Sequence, residues 1–344
     1  TGILMDVQTG EVIGMISLPD FDLSDPVSRE ERPLTREEQG NNPRFNRLTV
    51  GVYEPGSTFK LFTAAAALDL GVMNVWNGYD ASRPIRIGRH EINDFRGKNR
   101  WLALPEIIAY SSNLASAHMA VAIGTQRHRE FMVRLQMGSR LQIELPEVAL
   151  PLIPRPQDWR EINTMTIGFG HGISVTPLHV VNATAALANG GILRQPTLLA
   201  RPPGEVIEGT RVISERTSET MRRLMRAAVT EGSAKGADIP GYFVGGKTGT
   251  AQKTGPRGGY LENKRIAAFV GAFPMHAPRY AIYVMVDEPK PNARSHGFAT
   301  AGWVAAPAAG MVIRNVAPIL GMMPETERMA EIQASIHILS LIHI

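Results

Sequence analysis

An α+β fold is predicted for this chain: an antiparallel sheet built from N- and C-terminal strands and packed with helices, plus a mostly helical lobe between them. Three observations carry the prediction. The chain opens on two short β-rich runs, its middle is dominated by capped helical patterns, and apolar strand patterns return after Pro240.

Residues 2–7 and 11–17 flank Gln8-Thr9-Gly10 and predict a hairpin, with Pro19 ending the second strand. From 20 to 56 the chain is charged and rich in Pro, Asn and Arg, which predicts loop with at most one short helix. Helices are predicted over Ser57 to Leu70, closed by Gly71, over Leu104 to Ala109, opened by Pro105, and over Leu114 to Ile123, closed by Gly124. Further helices are predicted over Arg127 to Gln136, Pro177 to Ala188 and Glu215 to Thr230. Strands follow over Tyr242 to Gly245, Arg265 to Phe273 and Arg279 to Val286. A helix over Thr300 to Val316 completes the pattern, with Ala301, Gly302, Trp303 and the Ala305 to Met311 stretch expected to pack on the sheet. The Pro- and Asn-containing loop at 287–299 is by default solvated, with the rim of a groove as its functional alternative.

The expected division is one unit over 1–322, with a sheet lobe at about 1–56 and 236–322, a helical lobe at about 57–235 and an active site between them. The tail at 323–344 suggests no function and predicts order no better than disorder. Because the chain opens directly on a strand, at Thr1-Gly2-Ile3, it is expected to be part of a longer protein.

Composition narrows the function classes. With 344 residues and 44% hydrophobic content, a large core is available and general disorder is excluded. The net charge of +4 comes from interspersed acids and bases, which makes nucleic acid a poor partner. A cysteine count of 0 removes disulfides, thiol nucleophiles and cysteine metal sites. The nine histidines show no ligand spacing and His90-Glu91 lacks a second histidine, so neither metal nor cofactor is predicted. The longest apolar runs, such as Leu61 to Leu70, fall short of the roughly 20 residues of a membrane span. Gly168, Gly170 and Gly172 are followed by no Gly-Lys-Ser/Thr, so they predict a tight structural turn, not a phosphate loop, with His171 as a packing residue.

Three motifs carry chemistry. Ser57-Thr58-Phe59-Lys60 follows Glu54-Pro55-Gly56, which puts Ser57 in the first turn of a helix and the Lys60 amine on the same face. A neutral lysine there takes the proton of an otherwise weak serine nucleophile. An S-x-x-K string nevertheless arises by chance about once in a chain of this length. Ser111-Ser112-Asn113 lies between two predicted helices, where it serves as an N-cap or as a proton relay through Ser111 with Asn113 holding a substrate amide. Lys247-Thr248-Gly249-Thr250 continues an apolar strand whose glycines admit a second backbone, and its hydroxyls and amine suit a carboxylate. A second K-T-G at Lys253-Thr254-Gly255 precedes Pro256 and is assigned to a loop. The conjunction, in this order and on helix start, interhelical turn and strand, is the signature of penicillin-binding proteins and class A β-lactamases.

With these residues in place, the sequence resembles the transpeptidase domain of class B penicillin-binding proteins over about residues 2–318, and is most similar to the septal, cell-division type. The opening Met5 to Met15, the approach Asn42 to Arg47 with Tyr53-Glu54-Pro55-Gly56, and the run from Gly168 to Leu178 extend the likeness. The resemblance implies the penicillin-binding-protein/serine β-lactamase-like fold and a serine acyltransferase that cross-links peptidoglycan stem peptides ending in D-Ala-D-Ala. In that scheme Ser57 is the nucleophile, Lys60 its base, Ser111 the relay, Asn113 an amide holder and Lys247 a source of field. Thr248, Gly249 and Thr250 form the carboxylate and oxyanion side. It also implies acylation by β-lactams, a membrane glycosyltransferase and other division-complex proteins as partners, and an anchor in the inner membrane with the catalytic domain facing the periplasm. Ser112 stands where class A β-lactamases have Asp, and no deacylating Glu is recognisable, which favours a transpeptidase over a hydrolase. A D,D-carboxypeptidase, a β-lactam-hydrolysing or -sensing relative, an elongation-type enzyme and a division scaffold are the alternatives.

Overall fold

The computed structural model describes residues 1–20 and 42–338, apart from 89, 203, 256–258 and 294. Most of the segment expected to be loop at 20–56 therefore lies outside the described residues. The main sheet has five antiparallel strands, β1 (Gly2–Asp6), β2 (Val12–Ile16), β9 (Gly245–Thr254), β10 (Tyr260–Phe273) and β11 (Tyr280–Asp287), in the order β2-β1-β11-β10-β9. The N-terminal hairpin joins the later strands where β1 pairs with β11, Leu4 opposite Ile282.

Strand alternation divides the core in two. Ile3, Met5, Ala268, Val270, Tyr283 and Met285 point into a large core shared with the helices, while Leu4, Phe269, Phe273, Ile282 and Val284 point to the opposite face. That second face is covered by the helix Ala305–Val316, whose Ala305, Ala306, Ala309 and Ile313 are buried. Small side chains let it lie close on the sheet.

The helical segment starts with a 3-10 turn, Gly56–Phe59, running directly into α1 (Lys60–Asp69). Lys60 to Ala67 are all buried, so α1 is a central helix with no solvent face, and its alanines suit both the burial and the helix. Four short strands follow: β3 (Gly78–Asp80), β4 (Ile85–Ile87), β5 (His90–Ile92) and β6 (Trp101–Ala103), pairing β3 with β6 and β4 with β5. None of the four was expected, because three-residue ladders carry no readable alternation.

Next come α2 (Leu104–Tyr110), α3 (Asn113–Ile123), α4 (Thr125–Arg134) and α5 (Glu161–Gly168), the last unpredicted. α6 (Pro177–Ala188) is capped by Thr176 and has Pro at its start. β7 (Ile192–Leu193) and β8 (Thr210–Arg211) pair ahead of α7 (Glu215–Thr230), which is capped by Ser214. α7 buries Thr217, Met221, Leu224, Met225 and Ala228, the stripe of an amphipathic helix. The helix on the far face is α8 (Ala305–Val316), and α9 (Met329–Ser335) ends the described chain. None of the described helices is long and apolar enough to cross a membrane.

Several expectations are corrected. Tyr242 to Val244 are buried but precede the ladder, since Gly241 and Phe243 both take positive φ, and β9 instead runs from Gly245 to Thr254. The second K-T-G therefore begins on a strand: Thr254 pairs with Tyr260, and the Lys253 ammonium is held by Asp287 and Glu288 at 3.0 and 2.8 Å. α8 starts at Ala305, not Thr300, and Trp303 lies in the preceding turn with 45% of its surface exposed. The tail is ordered as far as it is described. Its Glu325 amide donates to Gly241, and Ile332 and Ile336 are buried in the large core.

Candidate active site

The 3-10 turn decides the first contact. In that geometry side chains three apart eclipse, and the Lys60 amine lies 3.0 Å from the Ser57 hydroxyl. Ser57 is the one residue of the turn that is not buried. The turn is held from beneath, where the Thr58 hydroxyl donates to the Pro55 carbonyl and the Gly56 amide donates to Gly170. A Cβ on Gly170 would fall 2.0 Å from the Gly56 carbonyl oxygen, so the Gly-rich segment is a backbone-on-backbone support for the turn that carries Ser57.

The second motif reaches the first through an unusual backbone. Ser111, between α2 and α3, is left-handed (φ 61, ψ 44), which turns both its carbonyl and its hydroxyl toward Lys60 at 2.6 and 3.1 Å. Asn113 places Oδ1 2.7 Å from the same amine. Ser112 is buried and caps α3, accepting from the Ala115 amide at 3.1 Å. N-cap and site-lining roles are thus divided between neighbouring serines.

The third motif lies on β9, which is the edge strand of the sheet. At Gly249 one face of the strand lies against the 3-10 turn: a Cβ there would come within 2.8 Å of the Pro55 carbonyl oxygen and 3.2 Å of the Thr58 nitrogen. Lys247 is fully buried and donates to the Ser111 hydroxyl at 2.9 Å and to the Thr248 carbonyl at 3.1 Å. Ser57, Lys60, Ser111 and Lys247 therefore form one chain of polar contacts. The Thr248 hydroxyl pairs with Ser233 at 2.6 Å, and the Thr250 hydroxyl accepts from the Ala301 amide at 3.1 Å.

Burial controls the electrostatics. The Lys60 amine is pushed well below its usual range, first by complete burial and then by the nearby Lys247 charge, with Asp94 opposing. Burial alone takes Lys247 down to about 7. The hydrogen bonds around Lys60 accommodate the neutral amine that this shift favours. A neutral amine has two N–H groups and one lone pair; the Ser111 carbonyl and Asn113 Oδ1 can only accept, so they take both N–H groups. The lone pair is then left for a hydroxyl proton, with the Ser57 and Ser111 hydroxyls at 3.0 and 3.1 Å.

Residues without motif spacing complete the site. Asp94, on the loop after β5, accepts from the Ser112 hydroxyl at 2.7 Å, from the Leu114 amide at 3.0 Å and from the Asn113 amide. The Asn93 carbonyl accepts from Asn113 Nδ2 at 2.9 Å. Glu54 accepts from the Gly172 amide at 2.8 Å and from the Tyr260 hydroxyl at 3.1 Å. His171 packs between Phe169 and Tyr260, as a packing residue would. Among the described residues no carboxylate hydrogen-bonds to Ser57 or Lys60. The 287–299 loop is more than solvated loop: the Phe298 ring stacks on Trp303, and the Arg96 guanidinium lies 5.6 Å from its centre.

Residues 1–309 match the family described as the penicillin binding protein transpeptidase domain, and the chain belongs to that family. Within it, the chain is 41% identical over 334 residues to the probable peptidoglycan D,D-transpeptidase FtsI of Caulobacter vibrioides, covering 95% of this chain and 55% of that protein. It is 33% identical to stage V sporulation protein D of Bacillus subtilis, over 94% of this chain and 49% of that protein. The chain thus spans about half the length of the curated relatives it matches. Its fold superposes on the transpeptidase domain of Burkholderia pseudomallei penicillin-binding protein 3 with a TM-score of 0.80 and 28% identity, covering 94% of this chain and 89% of that one.

Proposed function

We propose that this chain is the catalytic unit of a septal peptidoglycan D,D-transpeptidase, acting through an acyl-enzyme on Ser57. The Ser57 oxygen attacks the penultimate D-Ala carbonyl of a stem peptide as its proton passes to the neutral Lys60 amine. Negative charge on the carbonyl oxygen is held by the backbone N–H groups of Ser57 and Thr250, a pairing supported by the close approach of β9 to the 3-10 turn at Gly249. The proton returns through Ser111 to the nitrogen of the departing D-Ala, so the C–N bond breaks as an N–H bond forms. An amine from a second stem peptide then attacks the ester carbonyl: the new C–N bond forms, the C–O bond to Ser57 breaks, and a proton from the amine passes through Lys60 to the Ser57 oxygen. Thr248 and Thr250 bind the terminal carboxylate in the field of the buried Lys247, and the same set accepts the carboxylate of a β-lactam. Asn113 orients both Lys60 and a substrate amide.

The contact chain from Ser57 through Lys60 and Ser111 to Lys247, at 3.0, 3.1 and 2.9 Å, carries this reading. It also weighs against a scaffold with idle groups, since burying two lysines side by side has no stabilising purpose. The septal assignment rests on the 41% identical relative, and the Asp94 and Glu54 carboxylates are both committed to other partners, which favours aminolysis over hydrolysis. The same proposal includes the division into a sheet lobe (about 1–56 and 236–322) and a helical lobe (about 57–235), supported by the five sheet strands lying within 2–16 and 245–287 with most of the helices between them in sequence. A membrane anchor outside this chain, a periplasmic catalytic face and division-complex partners, including a membrane glycosyltransferase, belong to it too. Labelling with a fluorescent penicillin tests the core of the assignment. The parent should form a long-lived adduct and Ser57→Ala none; equal labelling of the two would remove Ser57 from its role.

A further inference from the structure

We propose that Asp94, outside all three motifs, is a positioning residue that locks the Asn113 amide in the one orientation that leaves the Lys60 lone pair for Ser57. This rests on the acyl-transfer reading above. The loop carrying Asp94 is tied to the core by the buried Ile92 just before it. From there one carboxylate oxygen takes the backbone N–H groups of Asn113 and Leu114, which are unpaired donors at the positive end of α3. The other oxygen takes the Ser112 hydroxyl at 2.7 Å.

The consequence falls on the side chain between them. With α3 held against this loop, the Asn93 carbonyl meets Asn113 Nδ2 at 2.9 Å, and a carbonyl can only accept. Asn113 must then present Oδ1, not Nδ2, to Lys60, where it stands at 2.7 Å. Released from this grip, the amide can flip. Its N–H would then donate to Lys60 and compete with the Ser57 hydroxyl for the single lone pair. Asp94 thus acts through Asn113 without touching the reacting atoms. The charges acting on Lys60 are Lys247, which lowers its proton affinity, and Asp94, which raises it, with the neighbouring His171 itself pushed toward its neutral form by burial, so removing the Asp94 charge also lowers the proton affinity of Lys60. That second effect makes more Lys60 neutral and by itself would speed acylation near neutral pH, opposite to the effect of a flipped amide.

A double-mutant cycle separates a positioning role from a structural one. The limiting acylation rate and apparent affinity for a fluorescent penicillin are measured for the parent, Asp94→Ala, Asn113→Ala and the pair, with melting curves for each. Asp94→Ala should lower the limiting rate about tenfold or more and move the affinity less than about threefold. In the Asn113→Ala background the same change should cost about threefold or less, because the amide through which it acts is gone. Asp94→Asn, which keeps an acceptor for the two amides, should recover part of the rate and serves as the probe if Asp94→Ala melts below the assay temperature. Equal losses in both backgrounds, or a loss in affinity alone, would overturn the proposal. A parent that takes up no label would instead overturn the acyl-transfer reading itself.

Discussion

Replacing Gly249 by alanine should slow acylation about a hundredfold while leaving the fold standing. Gly249 sits in ordinary extended backbone on β9, so alanine meets no φ penalty and acts only through contact. Its Cβ would lie 2.8 Å from the Pro55 carbonyl oxygen and 2.9 Å from Thr58 Cγ2, where ordinary contact begins at 3.4 Å. The shortfall is about 0.6 Å, on the steep wall of the repulsive potential. The Pro55 side is the less able to yield, because its carbonyl accepts the Thr58 hydroxyl at 2.7 Å inside the turn that carries Ser57. β9 has no strand beyond it among the described residues and is the element that moves. Thr250, the next residue, moves with it, and its N–H leaves the position required of an oxyanion donor. Loss of one such donor costs about 100- to 1,000-fold in rate, and a misplacement on the order of 1 Å about 100-fold. The assay is a time course of penicillin labelling at several concentrations, paired with a melting curve. A Gly249→Ala variant that melts like the parent and acylates within about threefold of its rate would refute the close-approach reasoning.

Three further outcomes are expected. Acylation should rise with pH as Lys60, held low by burial and by Lys247, loses its proton, and should fall again above about 7 as Lys247 loses its charge. A rate independent of pH between about 5 and 9 would contradict the assigned base. Stability carries its own signature: a lysine whose folded pKa is lowered to about 7 binds fewer protons than in the unfolded chain up to its ordinary value of 10.5. The stability of the parent relative to Lys247→Met should therefore climb with pH across that window, by at most about 1.4 kcal/mol per unit, and a flat difference in denaturant midpoints would count against the buried lysine. Ser233→Ala should weaken penicillin binding by about threefold to tenfold through loss of the Thr248 hydroxyl's partner, seen as a change in apparent affinity at an unchanged limiting rate.

Much of the site was legible because its chemistry is local. Ser57 and Lys60 are three residues apart on one turn, and Lys247 to Thr250 lie on one strand, so spacing and element type suffice to pair them. The long elements were legible for the same reason: α6 and α7 announce themselves by a cap, a periodic stripe and a stop. The short ladders β3 to β6 were not, since three residues hold no period, and the reach of β9 was set by its partner β10 and by the ion pairs of Lys253.

What the sequence by itself determined was the α+β class, the order of the three motifs and the candidates within them. Only the tertiary structure decided which groups control them. Asp94 and Asn93 grip Asn113 from a loop with no motif, the left-handed Ser111 turns two acceptors onto one amine, and Gly170 supports the Ser57 turn from far along the chain. The physical reason is that a lysine becomes a base only when water is excluded and its N–H groups are taken. Burial and hydrogen-bond partners are properties of the packed chain, and no spacing records them.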